Sequence, residues 1–173
     1  MPDTTTHAYA PFEAADHDHD RCIAEAVAAA AELCERRGAR LTDLRRRILA
    51  LVWRSHAPRG AYSILATLQQ QGRSAAPPTV YRALDFLLAH GLVHRIESLN
   101  AVVGCPTPGK PHTGHFLICT GCGIAAEVDD QRIGDAVEAS AGKVGFRVER
   151  QTIEVAGRCP NCQDGEAAER YAG

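Results

Sequence analysis

Four segments between residues 21 and 91 carry hydrophobic side chains at helical spacing. The first is an Ala-rich run that ends before Gly38, and the second follows Thr42, a residue type that favours helix N-caps. The third ends before Gly72, and the fourth starts at Pro78 and stops near Gly91. The pattern predicts helices over residues 21–37, 43–54, 61–71 and 78–88.

A segment with the alternation of a strand follows the fourth helix. Residues 92–97 place Leu92, His94 and Ile96 on one side, and Val102 and Val103 can pair back across residues 98–100. Three or four helices followed by such a hairpin are typical of a winged helix. The last helix before the hairpin enters the major groove in that fold, so we expect Tyr81 and Arg82, opposite its apolar stripe, to face DNA.

The chain changes character at residues 104–114, which contain three prolines and three glycines and predict a junction between domains. Beyond it, the pattern predicts strands over 115–118, 124–128 and 146–155 and a helix over 130–141. So small an α/β unit has little core of its own, which implies dependence on metal, on a partner subunit or on both. The fold class expected is α+β. The predicted divisions are a flexible arm over 1–20, a winged-helix domain over 21–103, a hinge over 104–114, a metal-binding domain over 115–163 and a flexible tail over 164–173.

The net charge of −2 conceals a strong asymmetry along the chain. Residues 36–95 contain 11 arginines against only Asp43 and Asp85, a net charge of +9. Arginine supplies the phosphate contacts that dominate DNA affinity, so this segment is a candidate DNA footprint. A solvated basic face is the alternative.

No apolar stretch approaches the length of a membrane span, and the N-terminal residues lack the basic region of a signal peptide. We therefore expect a cytoplasmic protein without a membrane partner. We also expect neither enzyme activity nor a small-molecule substrate.

Two CxxC pairs lie in the second predicted domain: Cys119 with Cys122, and Cys159 with Cys162. Four thiolates complete a closed tetrahedral shell, which is the arrangement of a structural zinc site. A thiol-redox CxxC motif is the alternative, but two pairs flanking one strand unit favour the metal. The spacing predicts a zinc ion that stabilises this small domain.

A second set of metal-ligand side chains lies around the junction. It comprises His94, Cys105, His112 and Glu127, with His115 as a competing or additional ligand. Because these residues lie on both sides of the junction, a shared metal would fix one domain against the other and act as a switch. Two imidazoles, a thiolate and a carboxylate suit zinc better than ferrous iron or manganese, which prefer harder donors.

Three stretches of the chain resemble the ferric uptake regulator family. They are Pro77-Pro-Thr-Val-Tyr-Arg-Ala-Leu-Asp-Phe-Leu87, the following Gly-Leu-Val-His94-Arg-Ile-Glu-Ser, and His112-Thr-Gly-His-Phe-Leu-Ile-Cys119-Thr-Gly-Cys122-Gly. The similarity covers about residues 24–162, and the thinned histidine run before the first CxxC is most like that of the zinc-sensing members. The combination of motifs is highly specific.

The resemblance implies a homodimeric repressor with an N-terminal winged helix and a C-terminal dimerisation domain. The paired CxxC motifs would hold structural zinc, and the hinge set would sense a regulatory zinc, giving about two zinc ions per subunit. Zinc would act as corepressor on zinc-uptake and zinc-homeostasis genes. By the same resemblance, the residues expected to contact operator DNA are Tyr62, Tyr81 and Arg82, with Arg45 and Thr79 as further candidates.

Three alternatives remain at the level of sequence. One is an iron-, manganese- or peroxide-sensing member of the same family. The second is a thiol-redox enzyme that uses its CxxC pairs, and the third is a zinc-ribbon protein-interaction module without DNA binding. The arginine-rich winged helix is the main objection to the third.

Overall fold

A computed structural model describes Phe12 and residues 18–73, 75–110, 112 and 114–163. Most of the arm expected over residues 1–20, and the whole tail expected over 164–173, lie outside the described residues. In the described part of the chain, every helix is too short or too polar to cross a membrane.

Four helices form the N-terminal half: α1 (His19–Arg36), α2 (Asp43–Trp53), α3 (Ala61–Gln70) and α4 (Pro77–Ala89). All four lie where the hydrophobic pattern predicts them, to within two residues at each end. The first begins two residues early because the Asp18 side chain accepts hydrogen bonds from the backbone N–H groups of Asp20 and Arg21. Part of the predicted arm is therefore helical.

One hydrophobic core joins these four helices. Its largest fully buried side chains come from α2, α3 and α4 and include Ile48, Ile64, Leu68 and Leu87. The buried stripe on α4 leaves Tyr81 and Arg82 on the outside of the helix, as the sequence predicts.

A hairpin follows α4 and completes a winged helix. It consists of β1 (Val93–Ile96) and β2 (Ala101–Gly104), joined by a 3-10 helix over Glu97–Leu99 and by Asn100 at φ 46°. Arg59 pairs with Val102 through an isolated antiparallel bridge, which sequence alone did not predict. We refer to residues 93–104 as the wing.

The C-terminal half contains β3 (His115–Cys119), β4 (Ala125–Val128), α5 (Gln131–Gly142), β5 (Ile153–Gly157) and the short α6 (Pro160–Gln163). Its sheet has the order β4-β3-β5, with β3 antiparallel to β4 and parallel to β5. Among the described residues 105–114, none belongs to a helix or a strand.

One strand prediction is wrong in extent. The alternation over residues 146–155 predicts a long strand, but β5 begins only at Ile153. The reason is the length of its neighbour: β3 starts at His115, which pairs with Ile153, so earlier residues have no strand to bond to. Phe146 is consequently 66% exposed.

The two halves meet across the wing. Ile96 and Val103 pack against Phe116 of β3 in a small buried cluster. The backbone N–H of Ala125 also donates to the carbonyl of His56, at 3.0 Å, and joins β4 to the loop after α2. The α+β architecture therefore has the strands of its wing between the two halves, with Val93 facing the helices and Ile96 facing the sheet.

Candidate metal centres and nucleic-acid interface

The four cysteines of the CxxC pairs form one cluster, with all four sulfur atoms within 4.8 Å of one another. We call it the four-cysteine cluster. The parallel pairing of β3 with β5 explains it, because Cys119 is opposite Gly157 and both pairs therefore leave the same end of the sheet. The sulfur atoms of Cys122 and Cys159 are 3.7 Å apart. Two thiolates on a tetrahedral zinc with bonds of about 2.3 Å would be about 3.8 Å apart, so the cluster fits a structural zinc site.

Backbone N–H groups converge on one sulfur of this cluster. Gly121 and Cys159 donate to the sulfur of Cys119 at 3.4 and 3.3 Å. Burial opposes ionisation of this thiol, but the surrounding hydrogen bonds outweigh it and lower the pKa of Cys119 to about 6. Burial and the neighbouring sulfurs raise the pKa of Cys162 to about 12. Of these two thiols, Cys119 therefore loses its proton far more readily.

The second predicted set also forms one cluster, in which ligand atoms of His94, Cys105, His112 and Glu127 lie within 4.8 Å of one another. Nε2 of His112 is 3.0 Å from Nε2 of His94, 3.4 Å from the Cys105 sulfur and 3.1 Å from Oε1 of Glu127. We call this group the hinge cluster. It joins the wing, the junction and β4.

The orientation of His112 is set by its other nitrogen. Nδ1–H donates to the carbonyl of Lys110 at 2.7 Å, which directs the Nε2 lone pair toward the cluster. Glu127 presents a carboxylate oxygen to the same point, and both of its oxygens are buried without a hydrogen-bond partner among the described residues. A divalent cation between these two groups, whose facing atoms are 3.1 Å apart, would satisfy both the imidazole lone pair and the carboxylate oxygen. The donor set therefore fits a divalent metal.

Burial dominates the electrostatics of the hinge cluster. Burial, with the charge of His112 second, lowers the pKa of His94 to about 4, and burial with the Glu127 carboxylate raises the pKa of Cys105 to about 12. Burial likewise raises the pKa of Glu127 to about 7, with Asp129 adding to the effect and His112 opposing it. Cys105 and Glu127 thus resist the anionic form unless a cation compensates it, while His94 resists protonation and keeps a lone pair available to a metal.

His115, the additional ligand candidate, belongs to neither cluster. It opens β3, opposite Val128 and Ile153, and is 2% exposed. Neither ring nitrogen has a hydrogen-bond partner among the described residues. The structure does not bring it into the hinge cluster.

The residues expected to contact DNA lie mostly on one exposed surface. Tyr62 near the start of α3 is 72% exposed and Tyr81 on α4 is 41% exposed, and their rings meet edge to face with centroids 6.5 Å apart. Thr79 and Arg82 are exposed on α4. This gives α4 an accessible polar and aromatic face.

Arg45 is placed differently from the other four. Its guanidinium stacks over the ring of Phe86, 3.5 Å from the centroid, and donates to the carbonyl of Arg40. The side chain is half-buried, so its guanidinium is partly engaged within the domain. The sequence gives no sign of this, because arginine on a helix near other arginines resembles any phosphate-binding residue.

The fold and the two clusters define a winged-helix protein with one set of metal ligands inside its C-terminal domain and a second at the joint between domains. The family model of the ferric uptake regulator family matches residues 36–156, and the chain belongs to that family. It is 39% identical over 144 residues to the zinc uptake regulation protein of Escherichia coli strain K12, covering 83% of this chain and 84% of that protein.

Two solved structures are similar to this one. The first is a zinc uptake regulator complexed with zinc and DNA, with a TM-score of 0.77 and 38% identity over 84% of this chain and 97% of the other. The second is the holo form of XcZur, with a TM-score of 0.72 and 42% identity over 80% and 96% of the two chains. The likeness extends over both halves of the fold.

Proposed function

We propose that this protein is a zinc-responsive, homodimeric transcriptional repressor that binds operator DNA when zinc occupies the hinge cluster. The single observation that carries the proposal is the position of that cluster. Its ligands come from the wing, from the junction and from the sheet, so occupancy couples the DNA-binding half to the other half. The target genes would be those of zinc uptake and zinc homeostasis, as the name of the E. coli relative suggests.

The positions of the hinge-cluster residues explain how zinc binding could change DNA binding. His94 belongs to the wing, Cys105 and His112 to the junction, and Glu127 to β4. A bound zinc would supply directed bonds that hold these four side chains at tetrahedral spacing. Restricting the junction narrows the range of orientations of α4 relative to the sheet. In a dimer, that sets the spacing of two recognition helices for successive major grooves.

The donor chemistry supports zinc as the metal sensed. The hinge cluster combines two imidazoles and a carboxylate with the sulfur of Cys105, and a thiolate disfavours ferrous iron and manganese. The similar structure that contains DNA is described as a complex with zinc. We propose one structural zinc in the four-cysteine cluster and one regulatory zinc in the hinge cluster of each subunit.

The proposed DNA surface consists of Tyr62, Tyr81, Thr79 and Arg82. These residues are exposed on α3 and α4, and the 11 arginines of residues 36–95 supply a positive field around them. Arg45 would act mainly by holding α2 against α4 through Phe86. We also propose the domain limits predicted from the sequence, with α1 beginning at His19.

Exposed apolar side chains on the C-terminal half support a homodimer. Val137 on α5 is 36% exposed, Phe146 is 66% exposed and Val155 on β5 is 50% exposed. Among the described strands, β5 also has one unpaired edge. A second copy of the chain would cover both features. Light scattering on Val137→Asp should show a shift toward monomer, whereas Glu138→Gln on the same helix should leave the mass unchanged.

Operator binding across buffered free zinc tests the central proposal. A palindromic candidate operator is titrated with the protein while bound metal is measured, and the series is repeated with ferrous iron and manganese. We expect binding to rise by about 5- to 150-fold as the second zinc per subunit is bound. Activation by iron or manganese at a lower free concentration than zinc would overturn the choice of metal.

The matched variant for this experiment is Cys105→Ser combined with His112→Ala. It should keep one zinc per subunit and lose the dependence of DNA binding on zinc, and Cys22→Ser provides a cysteine control outside both clusters. Equal operator binding by the double variant with zinc and with chelator, at the level of the zinc-loaded wild type, would also contradict a switch. Thiol-disulfide turnover by the wild type would favour the redox alternative.

A further inference from the structure

A carboxylate from β5 bonds to the backbone of the wing. Oε1 of Glu154 accepts from the N–H of Glu97 at 2.6 Å, and Oε2 accepts from the N–H of Ser98 at 3.1 Å. These two N–H groups open the 3-10 helix of the wing, where no carbonyl within the helix can reach them. One side chain of the C-terminal half therefore completes the hydrogen bonding of a turn in the DNA-binding half.

The sheet register places this carboxylate opposite the wing. Phe116 of β3 pairs with Glu127 on one side and with Glu154 on the other, so the three side chains form a row on one face. Each faces a successive part of the wing. Glu127 meets His94, Phe116 packs against Ile96, and Glu154 bonds at the start of the 3-10 helix.

In this contact an ionised carboxylate accepts hydrogen bonds from two backbone N–H groups. Burial opposes ionisation, but the hydrogen bonds from Ser98 and Glu97 together outweigh it and lower the pKa of Glu154. The carboxylate is therefore ionised throughout the neutral range. Neither Glu97 nor Ser98 belongs to either cluster, so no group in this contact would bind a metal.

We propose that Glu154 is a positioning residue for DNA binding, a latch that fixes the wing to the sheet through groups that bind no metal. This rests on the proposed function, and it divides the joint into two parts. The hinge cluster controls the side near the junction, while Glu154 holds the far end of β1. The wing could then rotate only about an axis through the Glu154 contact. A metal in the hinge cluster would need to prevent only that rotation.

The test compares Glu154→Ala with wild type and with Glu149→Ala, a control whose carboxylate is exposed and meets only Arg147 among the described residues. Each protein is loaded with zinc, its metal content is measured, and operator affinity is determined at saturating zinc. Hydrogen exchange at the amides of Glu97 and Ser98 is followed in parallel. Glu154→Gln is included because it keeps the shape and one acceptor but loses the charge.

We expect Glu154→Ala to bind two zinc ions per subunit, to expose the two amides to exchange, and to bind operator about tenfold more weakly than wild type. The operator affinity of Glu154→Gln should fall between those of Glu154→Ala and wild type, and the affinity of Glu149→Ala should match wild type. Wild-type operator affinity in Glu154→Ala, or loss of its hinge zinc, would overturn the latch. If wild type itself showed no zinc-dependent operator binding, the proposed function would fail instead, and unchanged amide exchange in Glu154→Ala would still refute the contact separately.

Discussion

Oε1 of Glu127 lies 3.3 Å from Nε2 of His94, although one belongs to the sheet and the other to the wing. The two groups come from residues 33 positions apart and meet because β3 carries β4 alongside the wing. Both are largely shielded from solvent, so their interaction is poorly screened. This pair is the most direct link between the two halves within the hinge cluster.

Replacing Glu127 by Gln should keep the shape of this link and remove its charge. We expect zinc affinity at the hinge cluster to fall by more than about tenfold, the lower end of what even indirect changes around a metal cause. Competition with a chromophoric chelator measures it. Zinc in the four-cysteine cluster should be retained, and Glu149→Gln should behave as wild type. Unchanged hinge affinity would refute Glu127 as a ligand.

Removing one thiol of the four-cysteine cluster should have a different result. We expect Cys159→Ser to lose the structural zinc and to unfold the C-terminal half, because the cluster joins the ends of β3 and β5 and supplies much of that half's buried core. Circular dichroism and metal analysis measure both effects. Cys22→Ser should retain full zinc. A folded, zinc-replete Cys159→Ser protein would contradict the structural assignment.

Arg82→Ala should separate DNA contact from folding. The side chain is exposed on α4, so we expect operator binding to weaken by about 1–3 kcal/mol if the guanidinium bonds to a base edge. Zinc content and melting temperature should not change. Arg21→Ala on α1, outside the arginine-rich segment, is the control for net charge. An equal loss in both variants would point to a general electrostatic effect.

Gly104 is required where the wing passes the only tryptophan of the chain. A Cβ at this position would lie 2.3 Å from Cε2 of Trp53, so the indole or the strand has to move. We expect Gly104→Ala to destabilise the fold by about 1–3 kcal/mol, as overpacking does, and to shift tryptophan emission. Thermal unfolding followed by fluorescence measures both.

The matched control is Gly142→Ala in α5, where a Cβ would have no heavy atom within 4 Å. That variant should be neutral or slightly more stable, because alanine has the higher helix propensity. If both substitutions proved neutral, the close approach of Gly104 to Trp53 would not be a constraint.

The Glu154 contact has a defined pH dependence. Its carboxyl pKa is lower in the folded chain than in the unfolded one, so its stabilising effect is complete above the unfolded value of about 4.3 and is lost as pH falls through the folded value. The difference in unfolding free energy between wild type and Glu154→Gln should therefore be the same at about pH 6 and about pH 8. A difference that changes near neutral pH would assign the effect to another group.

Local patterns predicted much of this fold. The four helices follow from periodicity and from N- and C-terminal signals such as Thr42 and Gly38, which act over a few residues. The four-cysteine cluster was predictable because each CxxC pair supplies two of the four ligands of a tetrahedral metal. The extent of β5 was not predictable, because a strand ends where its neighbour ends. The alternation along residues 146–155 contains no information on the length of β3.

The hinge cluster was predictable as a set of residue types but not in its geometry. Nothing in the sequence indicates that the Lys110 carbonyl orients His112, since any residue has a carbonyl. The stacking of Arg45 on Phe86 and the bonds of Glu154 to the wing join residues 41 and more than 50 positions apart. Such pairs depend on the packed arrangement of elements, which single-sequence periodicity does not contain.

The chain order of the two clusters has a consequence for biosynthesis. All four residues of the hinge cluster precede Cys159 and Cys162, so a ribosome releases the complete hinge cluster before the complete four-cysteine cluster. The sheet that presents Glu127 to His94, however, gains its third strand only with residues 153–157. A nascent chain that meets zinc early would therefore present the side chains of the hinge cluster before the sheet that arranges them is complete. Binding of one zinc ion to each cluster would have to wait until Cys162 has been synthesised.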